Sequence, residues 1–180
     1  MAGGKRVFVG VSGSTASSAA LRRAVVEARR TNALLVPVLA WTPPGGETAY
    51  RKHPVPALMR EWQEAARKRL DTAFEESYGG YPSDLEILPM PVRFAPGPAL
   101  VQLADDPDDL LVVGTGRRGR LRRMLHTSVS RYCLAHAKCP VIAVPPPELL
   151  RELSFTARTL RKLPALEAPD WTAAVHAHRG

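Results

Sequence analysis

The sequence predicts an α/β domain in which five strands alternate with helices and form a mostly parallel sheet covered on both faces. Short apolar runs recur at residues 6–11, 33–41, 85–94, 109–114 and 139–144, and the stretches between them carry apolar residues at helical spacing. The run 109–114 is apolar on both faces, as in a strand buried within a parallel sheet. Such sheets bind ligands at the carboxyl ends of their strands, so the residues after Val11, Trp41 and Val113 are the ones to watch.

The first run, RVFVGV (6–11), is short and ends among small, turn-prone residues, which marks a buried strand. SGSTASS then supplies several candidate N-caps, and Leu21, Ala24, Val25 and Ala28 lie on one face of a helix with arginines opposite. ALLVPVLAW (33–41) is the second run; Pro37 lacks a backbone donor and predicts an irregular or edge-like stretch there. TPPGGETAYRKHPVP reads as a loop by its Pro and Gly content. Leu58, Trp62, Ala66, Leu70 and Ala73 mark a long amphipathic helix ending near YGGYP.

LEILPMPVRF (85–94) is a strand interrupted by prolines, and Gly97 and Pro98 open a short helix after it. DLLVVG (109–114) follows, then an arginine-rich loop, a helix in TSVSRYCLAHA capped by Thr127 or Ser128, and a last strand in CPVIAV (139–144). The 180 residues therefore divide into one domain, 1–147, and an extension, 148–180, that is helical at first and then Pro- and His-containing.

No apolar run reaches the length of a membrane span, and the opening meets Gly10 and Ser12 before a signal-peptide core could form, so a cytoplasmic protein without membrane contact is expected. Two cysteines, Cys133 and Cys139, are too few for a disulfide framework and read as reduced, half-buried residues. Together with His136 they lack a fourth ligand nearby, so no metal site is assigned. The formal net charge is +8, and Arg117, Arg118, Arg120, Arg122 and Arg123 concentrate part of the excess in one loop. That loop is either a solvated basic face or an anion clamp beside a strand's carboxyl end.

Gly114-Thr115-Gly116-Arg117-Arg118-Gly119 spells G-x-G-x-x-G, yet it follows the fourth strand and no Asp or Glu occurs between Asp109 and Glu148, which argues against a dinucleotide fingerprint. Gly114 and Gly119 also have P-loop spacing, but Arg120 and Leu121 replace the lysine and the magnesium-binding hydroxyl. GVSGS (10–14) falls short of a nucleophile elbow, since Ser14 stands where its second Gly belongs. Asp105, Asp106, Asp108 and Asp109 precede their strand at its opposite end, so no catalytic residue is assigned.

From Arg6 to about Pro146 the chain resembles universal stress proteins. VFVGVSGSTASSAALRRAVVEARRTNALLVPVLAW resembles their opening strand, helix and second strand, GPALVQLADDPDDLLVVGTGRRG their third helix and fourth strand, and TSVSRYCLAHAKCPVIAVPP their closing helix and strand. The resemblance implies an open, five-stranded parallel, Rossmann-like sheet. It also implies a binding and regulatory module that holds ATP, with Mg²⁺, or a related adenine nucleotide between the first and fourth strands. Gly10, Val11, Ser12 and Leu35 then line the base and ribose side, with Gly114, Thr115, Gly116, Gly119, Thr127, Ser128, Val129 and Ser130 around the phosphates.

Three departures alter that site. In nucleotide-binding members the signature is Gly, two residues, Gly, nine residues, then Gly followed by Ser or Thr; here the second and third glycines fall at Arg117 and Thr127, and the hydroxyl at Ser128. Such members also carry an acid after the first strand, where this chain has Ser12. Losing a charge-assisted hydrogen bond there weakens binding by roughly tenfold to over a hundredfold, and Arg117, Arg118 and Arg120 are candidate anion contacts that offset it.

The resemblance further implies a homodimer through the last strand, Val141, Ile142, Ala143 and Val144, whose apolar edge is otherwise exposed. Slow ATP hydrolysis is the most that it implies in the way of catalysis. The alternative reading is a nucleotide-independent dimeric interaction module whose arginine loop and extension contact an acidic protein. Nucleic acid is disfavoured, because no aromatic residue interleaves the arginines.

Overall fold

The computed structural model describes residues 4–115 and 128–147. Five parallel strands, β1 (Arg6–Gly10), β2 (Leu34–Trp41), β3 (Met90–Arg93), β4 (Leu110–Gly114) and β5 (Val141–Val144), form one sheet in the order β3-β2-β1-β4-β5. The helices are α1 (Thr15–Thr31), α2 (Gly46–Lys52), α3 (Pro56–Tyr78), α4 (Pro96–Leu103) and α5 (Val129–His136). Among the described residues no helix is long and apolar enough to cross a membrane.

Strand side chains alternate between two cores, as the two-residue period of a strand requires. Val7, Val9, Leu35, Leu39 and Val112 pack with Leu21 and Val25 of α1 and Leu70 and Phe74 of α3. Phe8, Val36, Val38, Leu111 and Val113 pack on the other face with Leu100 of α4 and Cys133 of α5. Both cysteines are free and buried, Cys133 completely, so they sit deeper than a half-buried reading allows.

Two local expectations are corrected. Pro37 stands in a regular strand between β1 and β3, paired with Val9, rather than in an irregular or edge-like stretch. Backbone donors alternate sides along a strand: Leu34 N–H donates to Lys5 on the β1 side, and Leu35 N–H to Glu86 on the β3 side. Pro37 shares the parity of Leu35, so the donor it lacks faces β3, where an isolated Leu35–Ile87 bridge has ended and the ladder resumes only at Val38–Met90. The proline therefore costs no ladder bond. The same gap shortens the third strand from the expected 85–94 to four residues.

The second correction is α2, which forms within the stretch read as a loop. Gly45 supplies a left-handed N-cap (φ 81°), Glu47 lies in the first turn and Arg51 and Lys52 in the last, charges that suit the helix dipole. Arg93 at the end of β3 holds Glu47 by two hydrogen bonds, at 2.9 and 2.7 Å, a tertiary contact that local composition does not reveal.

Candidate functional site

The strand order reverses between β1 and β4, whose chains leave their carboxyl ends toward α1 on one face and toward α5 on the other. In an open parallel sheet this is the topological switch point, and the crossovers bring the N-termini of both helices to the same end. Neither helix has an acidic residue in its first turn, so the positive ends of their dipoles are not offset there.

Small residues let these elements converge. Gly10 closes β1 against α4, where an added Cβ would lie 3.1 Å from Leu100 Cδ1. Gly114 closes β4 against α1, where an added Cβ would collide with the Ala16 carbonyl oxygen and lie 3.0 Å from Ser17 N. The two glycines face opposite sides of the sheet, so each admits the helix on its own side.

Between β1 and α1 the chain turns through Gly13 (φ 70°) and a serine network. Ser14 is the N-cap, its Oγ accepting from Ser17 N–H at 3.2 Å. Ser17 Oγ accepts from Ser12 N–H at 3.1 Å, and the Ser12 and Ser14 hydroxyls lie 3.1 Å apart. Ser12 is exposed at the strand end, whereas the Val11 side chain is buried and its N–H donates to Val38. From α3, the Arg69 guanidinium reaches across this turn and Nη2 donates to the Ser12 carbonyl at 3.3 Å.

On the β4 side, Thr115 is tied to the end of β5: its N–H and its hydroxyl both donate to the Val144 carbonyl, at 2.7 and 3.2 Å. Ser128 is the N-cap residue of α5, but its Oγ meets Ser130 Oγ at 2.9 Å and makes no capping bond. Ser130 is buried and Val129 half-buried. Gly116, Arg117, Arg118, Gly119, Arg120 and Thr127 lie outside the described residues, as does the extension 148–180.

One expected site residue is misplaced. Leu35 is fully buried near the amino end of β2, opposite Val7 and bridged to Ile87, and belongs to the core. The β2 residues at the carboxyl end are Ala40 and Trp41, both partly exposed. Arg69 was also missed: on the sequence it is one of several charged residues on an amphipathic helix, and only the packing of α3 over β2 and β3, beside α1, brings it to Ser12.

The fold and the paired strand ends define a doubly wound α/β protein whose strand order reverses between β1 and β4. The profile of the universal stress protein family matches residues 4–145, and the chain belongs to that family. It is 32% identical over 91 residues to universal stress protein Slr1101 of Synechocystis, covering 50% of this chain and 84% of that one. It is likewise 32% identical over 142 residues to universal stress protein Rv1996 of Mycobacterium tuberculosis, covering 79% of this chain but only 44% of the relative.

Among solved structures, a universal stress protein in complex with cAMP superposes with a TM-score of 0.50 at 29% identity, over 80% of this chain and 98% of the other. The protein MJ0577 superposes with a TM-score of 0.60 at 17% identity, over 79% and 96%, and supports the fold alone.

Proposed function

We propose that this chain is a regulatory binding module that holds an adenine nucleotide across the carboxyl ends of β1 and β4. The observation that carries the reading is the convergence of two helix N-termini and two glycine-closed strand ends at the switch point, in a family with a cAMP complex among its similar structures. Gly10, Val11 and Ser12 form the base and ribose side through their backbone, and Gly114, Thr115, Ser128, Val129 and Ser130 the phosphate side. By their place in the sequence, Gly116, Gly119, Thr127 and the anion-contact arginines Arg117, Arg118 and Arg120 extend the phosphate side.

The chemistry of the described residues suits a phosphate: helix dipoles and hydroxyls converge, with no acid in either first turn. The ligand favoured is ATP with Mg²⁺ or a related adenine nucleotide, bound weakly or with altered preference because Ser12 supplies no carboxylate. Calorimetric titration with ATP and Mg²⁺, AMP and cAMP, after a denatured sample is checked for copurified nucleotide, tests this. Saturable binding or nucleotide already aboard is expected; no heat at millimolar concentration overturns it.

The module is proposed to work as a homodimer paired through β5. That strand is at the sheet edge and all four of its residues are partly exposed, while Ile142 and Val144 pack on one core and Val141 on the other. Light scattering at twice the chain mass is expected, and a monomer removes the pairing.

A second reading is favoured by one observation. The Ser12 and Ser17 N–H groups already have acceptors within the β1–α1 turn, so neither needs a ligand. The chain would then be a nucleotide-independent module whose basic loop and extension bind an acidic protein, and the same titration separates the two readings.

A further inference from the structure

At the end of β1 the Arg69 guanidinium from α3 brings a positive charge and unused donors to Ser12. The Ser12 carbonyl accepts from Arg69, and the Ser12 hydroxyl is shared with Ser14. Arg69 has five N–H donors in a fixed fork, and the bond to Ser12 uses one. Its neighbours three and four positions away on α3 are Ala65, Ala66, Thr72 and Ala73, so its own helix offers no carboxylate.

The ion pairs among the described residues do not include Arg69 either. The nearby first turn of α1 has no acid and adds the positive end of its dipole. A phosphate ester oxygen lying here would meet donors and positive charge, and a charged acceptor gains more from both than a neutral ribose hydroxyl does.

We propose that Arg69, held over Ser12, is a specificity-determining residue. It makes this chain select adenine nucleotides with a phosphate at the ribose 3′ position over those with a free 2′,3′-diol. The inference rests on the preceding reading that the ribose lies at the β1 side of an adenine nucleotide site. Arg69 binds and orients; it has no part in a bond-breaking step. Its bond to the Ser12 carbonyl, at 3.3 Å, keeps the guanidinium near the strand end, which reduces the entropy lost when a second group is captured.

The test compares two adenine nucleotides that carry the same two phosphates in different places, adenosine 3′,5′-bisphosphate and ADP, by calorimetry against the full chain and its Arg69→Gln and Arg69→Lys variants. The full chain is expected to prefer the bisphosphate by about tenfold. Arg69→Gln lowers bisphosphate affinity more than ADP affinity and so removes that preference, and Arg69→Lys, which retains a point charge without the fork, keeps part of it. A purely structural clamp would change both affinities together and leave their ratio untouched.

Equal affinity for the two probes in the full chain, or a preference that survives in Arg69→Gln, overturns the role of Arg69 while the adenine site stands. Failure of the full chain to bind either probe, ATP or cAMP overturns both. Unaltered unfolding midpoints for the two variants exclude misfolding as the cause of any change.

Discussion

Gly114 at the end of β4 lies directly against Ala16 in the first turn of α1: a Cβ built at Gly114 would fall 2.6 Å from the Ala16 carbonyl carbon. The obstacle is helix backbone, which cannot rotate away as a side chain can. The signature glycine therefore has a packing duty in addition to any approach to phosphate. It sets how closely α1 approaches the switch point.

Substituting Gly114→Ala is expected to displace the start of α1 and cost about 1–3 kcal/mol, as overpacking in a dense interior does. Gly10→Ala should cost less, because the obstructing group is the flexible end of Leu100, at 3.1 Å. Urea unfolding of the two variants checks the order, and an equal or smaller loss for Gly114→Ala would contradict the account.

At the opposite end of the sheet, Arg6 grips the buried Asp109 with two hydrogen bonds, at 2.7 and 2.8 Å, and Asp106 N–H adds a third at 3.2 Å. Arg6→Ala leaves that carboxylate short of partners at a cost of about 2 kcal/mol, a value reduced because Arg6 is partly exposed. Arg6→Met combined with Asp109→Leu should recover most of the loss, since removing both charges removes the unpaired one. Denaturation midpoints of the single and double variants report it.

Burial, and secondarily the neighbouring Cys139, push the Cys133 thiol up to about 11. In the unfolded chain it ionises near the ordinary value of about 8.5, so over the intervening range the unfolded state has lost a proton that the folded state keeps. Folding stability therefore falls as pH rises through that window, and no such loss occurs below it. Comparing urea midpoints of the parent and Cys133→Ala from about pH 8 to 11 should show a steeper alkaline decline in the parent; parallel curves would refute it.

Charge reversal at Arg117→Glu and Arg118→Glu together is expected to weaken ATP binding at least tenfold and to flatten its salt dependence. These arginines follow Thr115, whose N–H ties the end of β4 to Val144 of β5. An ATP affinity unchanged by the double reversal would remove them from the site.

Much of the candidate site was legible because its residues stand just beyond strand ends, and strand ends show as the place where an apolar run meets small, turn-forming residues. Gly10, Ser12, Gly114, Ser128 and Ser130 come as candidates from the family resemblance, and all border β1, β4 or the start of α5. Leu35 was misjudged because it entered with the family resemblance, although its place as the third residue of the run 33–41 already sets it at the amino end of a parallel strand. The register Val7 to Leu35 agrees with that place.

By itself the sequence determined the alternation of strands and helices, the buried face of each, and the glycines and serines that end β1 and begin α5. These follow from periodicity, capping and turn chemistry, which act within a few residues. Only the tertiary structure decided the order β3-β2-β1-β4-β5, which sets β1 beside β4 although about a hundred residues separate them. It also decided that Pro37 faces a gap in the ladder, that α2 is held by Arg93, and that Arg69 arrives over Ser12. Each depends on which surfaces meet when two apolar faces are buried together, and local spacing carries no record of a neighbour distant in the chain.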